Sequence, residues 1–128
     1  MAKVETGEDA MADSVLFIGW GVPVRGRERP ALTVFNDAHE YYGRLQQQGE
    51  IENFETVLLE PHGGDLGGFT VLRGDQHKIA GVRGSDEFAR LIQRAQLLVE
   101  HLGVVGGAIG DRLMSEIGSF AQNIEELT

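Results

Sequence analysis

The 128-residue sequence contains no cysteine. That excludes disulfides, thiolate zinc sites and a cysteine nucleophile, and it fits a reducing cytosol. Lysine is nearly absent. Only Lys3 and Lys78 accompany the arginines, and 20 acidic against 11 basic residues leave a formal charge of −9. Nucleic-acid binding depends on basic neutralisation of phosphates, so no nucleic-acid partner is expected. Long apolar runs are missing too. The longest uncharged stretch, Ser14 to Val24, falls short of the ~18 residues that span a bilayer. It follows an acidic segment rather than the basic start of a secretory signal. The expectation is a cytoplasmic protein with no membrane partner.

What is present is ordinary for a globular chain, with 41% hydrophobic and 24% charged residues. One domain is expected at this length, with about two-thirds of the unfolded surface buried. Residues 1–13 carry Glu5, Glu8, Asp9 and Asp13 and read as a disordered acidic tail, leaving 14–128 as the domain.

The first element reads as a strand over Val15 to Val22, ended by Pro23. After a polar loop, Pro30 suits the opening turn of a helix. Ala31, Val34, Phe35, Ala38, Tyr42 and Leu45 fall on one helical face, and Gly49 stops the helix. Strands are expected over 54–60 and 68–73, joined by a glycine-rich turn as a hairpin. Asp75 can cap a short helix and Ser85 a longer one. The stripe of the longer helix is Phe88, Leu91, Ile92, Ala95, Leu98 and Val99, with His101 near its end. A last strand covers 104–109. A final helix carries Leu113, Ile117, Phe120, Ile124 and Leu127 at spacings of 4, 3, 4 and 3.

Strand, helix, strand, strand, helix, strand is the split βαβ order. It predicts an α+β, ferredoxin-like βαββαβ fold: a four-stranded antiparallel sheet with two helices on one face plus a C-terminal helix. Such a sheet ordinarily leaves one face wet. Here the first strand offers Leu16, Ile18 and Trp20 on one face and Val15 and Phe17 on the other, with no charge on either. Either the C-terminal helix or a second subunit must cover the second face. Gly106 and Gly107 in the last strand point to a close approach by another group. A homodimer is expected, with the C-terminal helix across its rim.

In element order and lengths, residues 14–110 resemble the dimeric α/β-barrel superfamily. That group includes antibiotic-biosynthesis monooxygenases, muconolactone isomerases, YCII-related proteins and stress-responsive proteins of unknown role. Arg29-Pro30-Ala31 at the first helix is similar to the YCII-related start. That family places a histidine next, where this chain has Leu32, so the chemistry ascribed to it does not carry over. The haem-binding pattern of the chlorite-dismutase relatives is not found.

Trp20, His39, Tyr42 and Gln46 form the first candidate site. His39 and Gln46, seven residues apart, share a flank of the first helix beside Tyr42. A neutral imidazole facing the interior can serve as a general base, with the aromatic residues as walls. The alternative is an amphipathic boundary, with Tyr42 in the core and His39 half in water. Arg25, Arg27 and Arg29 precede a helix N-terminus and suit a carboxylate or phosphate; a solvated loop is the other reading. Glu60, His62 and Asp65 have oxygen and nitrogen ligand chemistry, but the surrounding glycines answer to a tight turn, and no metal is expected. His77 and His101 read as structural.

Three functions follow as expectations. The first is binding of a small apolar or aromatic molecule between sheet and helices. The second is a cofactor-free enzyme of the monooxygenase or isomerase kind with His39 as base. The third is a structural or regulatory dimer with a filled core. A cavity above about 300 Å³ separates the first two from the third.

Overall fold

The computed structural model describes residues 12–128. The expected acidic tail therefore lies almost wholly outside the described residues. Asp13, at its end, is bonded: its N–H donates to the Gly74 carbonyl at 3.2 Å, and its carboxylate accepts from the Gln76 N–H at 2.9 Å.

The chain runs β1 (Ser14–Trp20), α1 (Glu28–Gln47), β2 (Asn53–Leu58), β3 (Gly68–Gly74), α2 (Gln76–Arg83), α3 (Asp86–Gln96), β4 (Gly103–Ala108) and α4 (Gly110–Leu127). The sheet order is β2-β3-β1-β4, and every neighbouring pair is antiparallel. This is the expected ferredoxin-like arrangement. The register sets Leu16 opposite Leu72 and Thr56 opposite Thr70. By the two-residue period of a strand, Leu16, Ile18, Thr70 and Leu72 share the face that meets the helices. α1 adds Val34, Tyr41, Tyr42 and Leu45, α2 adds Ile79 and Val82, and α3 adds Phe88 and Leu91 to the same core.

The caps explain where α2 and α3 begin. The Asp75 carboxylate accepts from the His77 and Lys78 N–H groups, and the Ser85 hydroxyl from the Phe88 N–H. Each satisfies donors that a helix start leaves free. α1 begins at Glu28, two residues before Pro30, which still falls within the first turn.

α3 ends at Gln96 rather than running to His101. The reason is tertiary. Residues 98–100 pair with the segment after β1: the Val24 N–H donates to Leu98, the Glu100 N–H to Val22 and the Gly21 N–H to Glu100. Leu98 stays buried, but as part of this bridge. His101 thus stands in a connector at φ 57, not at a helix end.

The second face of the sheet carries Val15, Phe17, Phe69, Val71 and Val105, and towards β2 also Asn53, Glu55 and Arg73, the Arg73 guanidinium donating to both of the others. Phe17 and Phe69 stack there with ring centroids 5.1 Å apart. Gly19 makes room, since a Cβ at that position would stand 2.7 Å from the Phe17 ring. α4 does not cover this face. None of its residues is buried. The groups close to Gly106 and Gly107 belong to the same chain: the Arg83 guanidinium and a Val15 methyl.

Candidate functional site

Between α1, α3 and the inner sheet face lies a cavity of about 360 Å³. Small side chains open it: Ala31 and Ala38 on α1 and Ala95 on α3 all stand on its wall. Ile18, Trp20, Phe35, Ile92, Leu98 and Leu102 make most of the rest apolar. Glu28, Leu32 and Leu58, all exposed, belong to its solvent side.

Three of the sequence candidates meet on this wall. Trp20 comes from the end of β1, and its ring meets the edge of Phe35 at 6.0 Å. His39 is half-buried, with its ring 4.3 Å from Phe35 and 5.9 Å from Tyr42. Tyr42 is buried to 3% exposure. Phe54, on β2, packs against both His39 and Tyr42.

Hydrogen bonds fix the tautomer of the neutral His39 ring. Its Nδ1 lies 2.8 Å from the Phe35 carbonyl, which can only accept. Nδ1 therefore carries a proton, and in the neutral ring Nε2 is the acceptor. Nε2 lies 2.7 Å from the Thr56 hydroxyl, and Thr56 lies 2.8 Å from the Thr70 hydroxyl. In that state Thr70 donates to Thr56 and Thr56 donates to His39. A line of polar groups thus runs from the cavity wall at Thr70 to the imidazole.

The Tyr42 hydroxyl has no hydrogen-bond partner among the described residues. Burial, with a smaller contribution from Tyr41, pushes its pKa far up, so the hydroxyl keeps its proton. A buried polar group without a partner is uncommon in folded proteins. Tyr42 itself stands on the wall of the apolar cavity.

The other candidates are elsewhere. Gln46 is exposed in the last turn of α1 and is not on the cavity wall. Arg25 is exposed in the loop before α1. Arg27 and Arg29 border a separate, more open depression of about 520 Å³, together with Arg94. Both ring nitrogens of His62 serve the turn: Nε2–H donates to the Leu66 carbonyl at 2.6 Å, and Nδ1 accepts from the Gly64 N–H at 3.2 Å. No group of three or more metal-ligating side chains occurs among the described residues.

Thr56, Thr70, Phe35 and Phe54 were not singled out by sequence reasoning as site residues. The available signal was a threonine at an inward position in each of two otherwise apolar strand faces. It becomes legible only with the register that pairs them.

No protein-family model matches the sequence, and no curated protein does either. Solved structures do match. A hydroxynitrile lyase from Passiflora edulis aligns with a TM-score of 0.59 at 13% identity, over 77% of this chain and 95% of its own. A dimeric ferredoxin-like protein of unknown function from Bacteroides fragilis aligns with a TM-score of 0.54 at 15% identity, over 75% and 96%. A mutant of a cofactor-independent oxygenase from Streptomyces nogalater aligns with a TM-score of 0.53 at 15% identity, over 79% and 95%. These likenesses lie in the fold, and the fold of this chain is the ferredoxin-like α+β sheet and helices that it shares with them.

Proposed function

We propose that this protein binds a small apolar or aromatic molecule in the cavity between α1, α3 and the sheet. The observation that carries the reading is an apolar cavity of about 360 Å³ with only a few polar groups on its wall. That size and that pattern, mostly apolar with sparse polar anchors, are typical of small-molecule sites. Trp20, Phe35 and Tyr42 supply ring surfaces. The Tyr42 hydroxyl supplies a donor, and Thr70, backed by Thr56 and His39, supplies an acceptor. Gln46, Arg25, Arg27 and Arg29 have no part in it. No cofactor is invoked.

The protein acts in the cytoplasm as a homodimer. The support is the apolar part of the second sheet face around Val15, Phe17, Phe69, Val71 and Val105, which is costly to leave in water, and the described dimeric state of the Bacteroides fragilis neighbour. No helix among the described residues is long and apolar enough to cross a membrane.

A second reading, a cofactor-free enzyme, draws on one observation: the tautomer of His39 is set by Phe35, so in the neutral ring Nε2 carries no proton. A substrate hydroxyl or acidic C–H against Thr70 loses its proton to the Thr70 oxygen. Thr70 passes its own proton to Thr56, and Thr56 passes its own to Nε2. The products of that step are a substrate anion and a His39 imidazolium. The hydroxynitrile lyase and oxygenase neighbours show that this fold hosts enzymes.

Thermal-shift screening of the full chain against small aromatics and carboxylates tests the binding reading, since a native-state ligand raises apparent stability by mass action. Apolar aromatics are expected to raise Tm and simple carboxylates to leave it unchanged. Carboxylates alone raising Tm would move the site to the arginines and overturn the reading.

A further inference from the structure

We propose that Thr70 is the polar selector of the cavity and that protonation of His39 reverses what it selects: a ligand O–H or N–H while the imidazole is neutral, a ligand carbonyl once it is charged. This deepens the binding reading above and rests on it. The observation that carries it is a line of three side chains ending on the cavity wall. His39 Nε2 lies 2.7 Å from the Thr56 hydroxyl, and Thr56 lies 2.8 Å from the hydroxyl of Thr70, a wall residue.

The line has one geometry and two directions. A hydroxyl has one proton and two lone pairs, so it donates to one neighbour while accepting from another. With His39 neutral, Thr56 donates to Nε2 and Thr70 donates to Thr56. The Thr70 proton is then committed, and what Thr70 has left for a ligand is a lone pair. An imidazolium carries a proton on both nitrogens. Nε2–H then donates to Thr56, Thr56 donates to Thr70, and the Thr70 proton is free for a ligand. Each hydroxyl only turns about its C–O bond, and neither hydrogen bond is lost. The Phe35 carbonyl, 2.8 Å from Nδ1, accepts in both states, so the ring is held and the whole change falls on Nε2.

The surroundings make His39 the group that titrates here. From α1 it meets the rings of Phe35 and Tyr42, and from β2 it meets Phe54 and Thr56. Trp20 of β1, Thr70 of β3, and Ile92 and Ala95 of α3 share the cavity wall with it. Tyr42 keeps its proton, and Glu28, also on the wall, is exposed at the solvent side. The nearby carboxylates are engaged elsewhere or in water: Asp37 pairs with Arg94, Glu55 pairs with Arg73 on the outer sheet face, and Glu40 is exposed. Among the described residues His39 forms no ion pair. Thr70 is 1% exposed, so bulk water hardly competes for it. In such an enclosed, apolar setting a ligand that leaves the polar group unmatched is penalised. The Trp20 N–H donates in either state, so it does not take part in the reversal.

The test is isothermal titration of the full chain with three bicyclic probes: indole, which only donates, 1-indanone, which only accepts, and naphthalene, which does neither. Each is measured below and above the protonation of His39, which is followed by NMR of the imidazole. As His39 goes from charged to neutral, indole is expected to tighten and 1-indanone to weaken, so that the ratio of their Kd values shifts by about tenfold, with naphthalene unchanged. Thr56→Val cuts the line and is expected to flatten the ratio, while Thr56→Ser keeps the hydroxyl and the shift. The wild-type ratio decides the matter even if Thr56→Val fails to fold. A constant ratio with all three probes bound overturns the inference and leaves the binding reading standing. A His39 that does not titrate in the folded protein also overturns it. A shift that survives in folded Thr56→Val belongs to the imidazolium charge and overturns the role of the thread. No binding of any probe in either state overturns this inference and the binding reading together.

Discussion

The hydroxyls of Thr56 and Thr70 meet 2.8 Å apart across the β2–β3 ladder, and Thr56 touches the His39 Nε2 on its other side. Strand register decides this. Thr56 and Thr70 are direct partners, so both hydroxyls are delivered to the same inward spot. One polar thread is thereby set into an otherwise apolar core, and every member is partnered.

Removing the middle of that thread leaves both ends unsatisfied. Thr56→Val is expected to cost about 1–3 kcal/mol, the usual penalty for orphaning buried polar groups. Thr56→Ser keeps the hydroxyl and recovers most of it. Urea denaturation of the two variants checks the difference. Equal stability of Val and Ser at this position would show that the thread contributes nothing.

His39→Ala removes two hydrogen bonds and a ring packed on Phe35. The variant is expected to melt several degrees lower, because about 1 kcal/mol moves Tm by roughly 3–6 °C at this size. Loss of ligand response in His39→Ala must therefore be read below its own Tm. Differential scanning calorimetry supplies the number.

The two tyrosines, Tyr41 and Tyr42, are the only ones in the chain. Burial raises both pKa values above the ordinary 10. A group whose folded pKa is raised gives stability that is complete below the unfolded value and is lost as pH rises above it. Stability is therefore expected to be insensitive to these groups below pH 10 and to fall above it. Tyr42 gains its phenolate only as the chain unfolds. A spectrophotometric titration showing both phenols ionising near 10 in a folded protein would contradict the burial of Tyr42.

Ser85→Ala removes the acceptor for the Phe88 N–H at the start of α3. A cost of about 0.5–2 kcal/mol is expected, with a smaller loss for Ser85→Asp, which can cap as well. Thermal denaturation measures it.

The fold was legible because its signals are local. The caps at Asp75 and Ser85, the alternation of Leu16 and Ile18 with Val15 and Phe17, and the stripe of α1 each follow from a few consecutive residues. The end of α3 was not legible. Leu98 and Val99 continue the helical spacing, and only the pairing of this segment with Val22 and Val24 shows that they leave the helix. The site was half legible. Trp20, His39 and Tyr42 stand out by chemistry and reach one cavity. Gln46 shares their flank by spacing but sits in the last turn of α1, where a 20-residue helix of about 30 Å outruns a seven-residue strand of about 23 Å. α4 was legible as a helix and as a seam, while its placement depends on contacts beyond its own sequence.

The most direct test of the central claim is isothermal titration of the full chain and of Ala38→Phe with naphthalene, 2-naphthol and indole. Ala38 is on the cavity wall, and a phenyl ring there occupies the ligand's space. The account expects at least one of these aromatics to bind wild type with Kd below about 100 µM, some 5 kcal/mol, and Ala38→Phe to lose that binding while keeping its fold. No heat with any of them up to about 1 mM, or equal binding to the filled variant, would contradict it.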